Sequence, residues 1–151
     1  MKRFSFRLER VLQLREAAER EQARALADAV RAEEEHRARV LEAEARLSEA
    51  RTQFRQTPRE LSQAGTLQNL ELAIEALALQ QRDLAGNHEE ALARLEAERH
   101  QFEQARMARR VIERLREQRR EAWGEELSRH EQALSDEVGL QRSQPDARGA
   151  Q

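Results

Sequence analysis

Four histidines are the residues best equipped for chemistry, and their spacing limits what they can do. His36, His88, His100 and His130 are scattered along the chain. His88 is followed by Glu89 and Glu90, but position 92 is Leu92, so the second histidine that a helical zinc site needs one turn further on is missing. Cysteine is absent, which removes thiolate nucleophiles, thiolate metal sites and disulfides together. No glycine-rich phosphate loop and no Ser-His-Asp set can be traced. The residue types name no catalytic centre, no metal and no cofactor, and the expectation is a protein that is not an enzyme.

The elements that would position these side chains follow from composition. Ala, Glu, Lys, Leu and Arg make up 64% of the 151 residues, while Leu, Ile, Val and Phe together supply 20%. The first figure is that of a long helix or coiled coil. The second is low for a globule that must offset the entropy of ordering its backbone. Five glycines and two prolines leave too few turns for a many-stranded sheet. The longest apolar run, residues 76–79, is far short of a membrane span. The basic start at Met1, Lys2 and Arg3 has no apolar core of signal-peptide length. The reading is a soluble cytoplasmic chain, either helical rod or disordered.

Periodicity favours the rod. Between Leu8 and Phe54 there is neither Gly nor Pro, and a seam of steps of three and four runs Leu8, Val11, Arg15, Ala18, Gln22, Ala25, Ala29, Ala32, His36, Val40, Ala43, Leu47, Ala50, Phe54. A second seam runs Leu67, Leu70, Ile74, Leu77, Gln81, Leu84, His88, Ala91, Leu95, Glu98, Phe102, Ala105, then less regularly through Ile112 and Leu115 toward Leu127. Between the seams, Thr57-Pro58-Arg59-Glu60 reads as a capping box with proline at the first helical position. It should open a single turn that Gly65 closes, with Thr66 as N-cap of the next helix. If the chain reverses near residue 62, opposed residues have numbers adding to about 124, which sets small seam residues against large ones and His36 against His88. Those histidines would make half a metal site that Glu33 or Glu34 could complete, but the plainer reading is a polar layer that marks register. The expected fold is all-α: a long two-helix antiparallel coiled-coil hairpin, with helix one over about 4–55, a reversal over 56–65, helix two over about 66–138 and a disordered tail over 139–151. Gly86-Asn87 is a possible kink. At this register Phe4 lies opposite Arg120, and helix two overhangs with Trp123 uncovered.

Charge and exposed apolar groups then point to partners. Residues 106–120 carry seven arginines against Glu113 and Glu117, and residues 121–138 carry six acids against Arg129. A solvated helix with i,i+4 pairs and a docking strip for an acidic protein surface both fit the arginines. The neighbouring acids and the lack of interleaved aromatics argue against nucleic acid. Phe4, Phe6 and Trp123 gather at the open end. Helix two is unusually apolar from Leu67 to Leu79, and Leu72 and Leu79 fall off the seam, which marks a partner patch unless it buries on the reversal or on a second copy.

The opening Phe4-x-Phe6-x-Leu8-x-x-Val11-Leu12-x-Leu14-Arg15 and the stretch Glu113-Arg114-Leu115 to Arg119-Arg120-x-x-Trp123, with Glu131-Gln132 and Asp136-Glu137 beyond, resemble the flagellar FliJ family. The resemblance implies a coiled-coil component of flagellar type III export, similar to the stalk of a rotary ATPase. Such a protein bridges the hexameric export ATPase and the cytoplasmic domain of the membrane export gate, and escorts export chaperones. It would work as a monomer or weak dimer, cytoplasmic and peripherally associated with the inner membrane at the flagellar base. Carried onto this sequence, the ATPase contact falls on Phe4, Phe6, Leu8, Arg109, Arg116, Arg120 and Trp123. The export-gate contact falls on Leu70, Leu72, Ala73, Leu77 and Leu79. The position that is aromatic in some relatives is Thr66 here. The alternatives are a homodimeric coiled-coil scaffold or spacer and the stalk of a related injectisome.

Overall fold

The computed structural model describes residues 3–59 and 64–143. It is all-α, with two long antiparallel helices: α1, Glu9–Gln56, and α2, Ala64–Ser143. Among the described residues there is no strand. The chain divides into two compact units, a terminal unit built from residues 3–17 and 106–143 and a central unit built from 18–59 and 64–105.

In the central unit the two traced seams are the faces that meet. Gln22, Ala25, Ala29, Ala32, His36, Val40, Ala43, Leu47, Ala50 and Phe54 are all buried or half-buried, as are all the seam residues from Leu67 to Ala105. The most enclosed of them are Ala29, Ala43, Leu47, Ala91 and Leu95. Alanines let the backbones approach closely, so few large side chains suffice to exclude water. Gln81 Nε2 donates to Glu44 Oε1 at 3.5 Å and His88 Nε2 meets Glu33 Oε1 at 2.8 Å, so the pairing keeps to the expected register within a few residues.

The terminal unit departs from the traced seam. Leu12, only 2% exposed, is its core residue, and Glu16 is half-buried, whereas Arg15, expected at the seam, is exposed. The enclosed track runs through Leu12 and Glu16, one residue past the expected Arg15, and Val11 stays half-buried beside it. Ala18, the next residue of the expected seam, is also exposed, in the central unit.

The helix ends also differ from expectation. Helix one begins at Glu9, not near Phe4; a turn in which the Glu9 N–H donates to the Phe6 carbonyl (3.1 Å) leads into it. At its far end Thr57 closes α1 rather than capping a new turn. Its N–H and its hydroxyl both donate to the Gln53 carbonyl, at 3.0 and 2.8 Å. Glu60, the other half of the expected capping box, lies outside the described residues. Because α2 starts at Ala64, Gly65 and Thr66 are helical residues of its first turn, not a stop and an N-cap. Gly86 and Asn87 continue α2 without interruption, since a lone glycine costs only about 1 kcal/mol in a helix already fixed by packing. The helix also passes the expected limit at 138 and takes in residues 139–143; the rest of the expected tail, 144–151, lies outside the described residues.

Candidate interaction surfaces

The terminal unit holds three of the five aromatic residues, Phe4, Phe6 and Trp123. Phe4 packs on Trp123 with ring centroids 5.9 Å apart and planes inclined at 56°, a tilted geometry that suits the ring quadrupoles. Trp123 is therefore half-buried and has a partner in its own chain, contrary to the expected bare overhang and the Phe4–Arg120 apposition. The reason is geometric: residues before Glu9 are not helical, and an extended residue advances about twice as far as a helical one. Phe6 and Leu8 are half-buried beside the start of α1.

The arginine strip sorts into engaged and uncommitted cations. Arg109 is half-buried and pairs with Glu113 at 2.5 Å, and Arg116 Nε lies 3.5 Å from Glu9 Oε2 on the other helix. Arg106 also has a partner. Among the described residues Arg120 has no hydrogen bond or ion pair, nor do Arg110, Arg114 and Arg119, and all four are exposed. Of the three arginines expected to meet a partner, only Arg120 has its guanidinium uncommitted. The i,i+4 spacing of Arg109 and Glu113 made one of these pairings readable in advance.

In the central unit α2 separates its leucines onto two faces. Leu70 and Leu77 are half-buried in the seam with α1. Leu72 (58% exposed), Leu79 (60% exposed) and Ala73 look away from it. Leu72 and Leu79 are seven residues apart, two turns of helix, so they stand in line on one outer face. Neither is covered by the described part of the reversal. The sequence reading missed the exposure of four further large apolar residues that are 60–70% exposed: Leu14, Leu41, Met107 and Val111. Each falls off the seams, which is the signal that could have found them, although single exposed leucines are ordinary on protein surfaces.

The histidines behave as a polar layer. His88 Nε2 and Glu33 Oε1 share a hydrogen bond of 2.8 Å, and both side chains are largely buried. His36 Nδ1 is buried without a hydrogen-bond partner among the described residues. His88 thus bonds to Glu33. Among the described residues, no group of three or more His, Cys, Asp or Glu comes together as a metal cage would require. The central unit does have an open groove of about 460 Å³, lined by Leu47, Ser48, Arg51, Arg55 and Arg82 among others. Its lining holds one carboxylate, Glu44, which is bonded to Gln81, and no nucleophile paired with a base. Among the described residues no helix is long and apolar enough to cross a membrane.

No curated protein and no solved structure matches the chain. The sequence model described as "Flagellar FliJ protein" matches residues 4–147, which takes in both helices, the Phe4–Trp123 contact and the exposed leucines of α2. The chain belongs to the flagellar FliJ family and is a coiled-coil protein of flagellar export.

Proposed function

We propose that this chain is the stalk-like link of flagellar type III export, joining the hexameric export ATPase to the cytoplasmic domain of the export gate and escorting export chaperones. The observation that carries the reading is the family match over residues 4–147, which spans both proposed contact regions. The ATPase contact uses the terminal unit: Phe4, Phe6 and Leu8 with Trp123, and Arg120 from the strip that also holds Arg109 and Arg116. Arg120 is the exposed, unpaired cation of the three, and meets acidic groups of the ring. The gate contact uses α2 of the central unit. Leu70 and Leu77 are engaged with α1, so the gate is met by Leu72, Ala73 and Leu79 unless the helices part. A chain of this kind acts as a monomer or weak dimer in the cytoplasm, held peripherally at the inner membrane by its partners, and carries no active site of its own.

The face assignment gives a direct test. Leu72→Ala with Leu79→Ala removes two exposed side chains and no packing with α1, so helicity by circular dichroism stays unchanged. Capture of the gate's cytoplasmic domain should fall about tenfold, the loss of roughly 1.4 kcal/mol of apolar contact. Undiminished capture by the double variant would remove the gate contact from this face.

A further inference from the structure

Helix α2 outruns the contacts it makes with the N-terminal segment of the terminal unit. Phe4 covers Trp123, Leu127 is half-buried, and every side chain described from Ser128 to Gly139 is exposed. Nevertheless the apolar seam continues. Trp123, Leu127, Leu134 and Val138 are separated by four, seven and four residues, and at 100° per residue they keep within about 60° of arc. Leu134 and Val138 are each 50% exposed. The polar positions around this stripe hold Glu121, Glu125, Glu126, Glu131, Asp136 and Glu137 against a single cation, Arg129, which Glu125 engages at 3.2 Å.

An apolar stripe flanked by charge on a helix is completed by a second helix. A second copy of this chain is the first occupant to consider. Laid antiparallel on the same stripe, it would set Leu127 against Leu134, but it would also bring two strongly acidic segments together, and like charges across a coil are repulsive. The electrostatics therefore disfavour that pairing and select a helix of opposite sign.

We propose that α2 from Leu127 to Val138 is a docking strip for a basic amphipathic helix of another protein, seated on the seam that the N-terminal segment covers as far as Trp123. The partner presents leucine-like side chains at i, i+4 and i+7, with Lys or Arg on both flanks. The strip is about 18 Å long, so three to four turns of partner helix cover it. This inference concerns residues beyond those of the proposed ATPase contact and stands independently of that reading.

The test uses the full chain and two synthetic helical peptides of about 20 residues with the same leucine seam, one flanked by lysines and one by glutamates. Binding is read by fluorescence anisotropy, with sedimentation as the measure of self-association. The basic peptide should bind, and its affinity should fall at least about tenfold both in Leu134→Ser/Val138→Ser and in Glu131→Gln/Asp136→Asn/Glu137→Gln. It should also weaken as salt rises from about 50 to about 300 mM, because exposed charges are then screened. The acidic peptide should not bind. Helicity should persist in both variants, since the changed residues lie beyond the last half-buried one. Equal binding of both peptides, or unchanged binding of the basic peptide by both variants, would overturn the proposal. So would a dimer of the native chain that Leu134→Ser/Val138→Ser dissolves, because the strip would then be covered by a second copy.

Discussion

The layer formed by Glu33, His36 and His88 shows how single residues fix a thin coil. Alanine-rich seams tolerate sliding, because one alanine packs much like the next, and a polar contact that forms in one register only removes that freedom. His88 gains such a contact with Glu33, while His36 Nδ1 is buried with no partner among the described residues. A buried unsatisfied polar atom costs about 1–3 kcal/mol. Replacing His36 by Leu should therefore raise stability by at least about 1 kcal/mol. Glu33→Ala, which leaves the largely buried His88 ring nitrogen without its partner, should lower it by about the same amount. Urea denaturation followed by circular dichroism checks both. A lower midpoint for His36→Leu would mean that this histidine is satisfied by water and stabilises the layer.

At the scale of the elements, both long helices were legible because their seams repeat at three and four residues without a break. The α2 seam from Leu67 to Ala105 was readable residue by residue, since large apolar side chains at strict spacing allow one solution. The start of α1 was not. Val11 and Leu12 are adjacent, and Ala17 and Ala18 fit either track, so sequence could not choose between faces one residue apart; contacts distant in sequence, Arg116 with Glu9 and Trp123 with Phe4, accompany the choice actually made. Local signals misled at the reversal as well. Thr57-Pro58 reads as a helix start, yet the Thr57 hydroxyl donates backward to Gln53, a bond equally open to a threonine at a helix end. The two faces of α2 were separable in advance, with Leu72 and Leu79 off the seam, whereas the covering of Trp123 depended on non-helical residues whose reach no helical count gives. The same helices offer a stability test. Gly86 and Gly124 both lie inside α2 with ordinary helical backbone, and a Cβ built on either meets nothing within 4 Å. Gly86→Ala and Gly124→Ala should each add about 0.8–1 kcal/mol. Thermal melts of the single and double variants check the increments and their additivity; no gain at Gly86 would point to a bend that the helix needs.

For the molecule as a whole, a net charge of −2 conceals the feature that matters. The terminal unit carries its arginine-rich segment, 106–120, next to its acidic segment, 121–138, and some of those charges are spent internally, as in Arg116 with Glu9 and Arg109 with Glu113. What is left over, exposed arginines such as Arg120 and an acidic apolar strip beyond Trp123, makes surfaces of opposite sign. Scarcity of large apolar residues leaves this chain with a narrow seam and places its spare leucines outside. The flagellar family explains why such a chain exists, and its proposed role as the link to the export ATPase is the claim most open to contradiction. The decisive measurement is the ATP hydrolysis rate of the hexameric export ATPase titrated with this chain. Stimulation that saturates well below one chain per ATPase subunit is the predicted result, because a single stalk serves a whole ring. A rate unchanged up to equimolar chain would contradict the link and leave a coiled-coil spacer in its place.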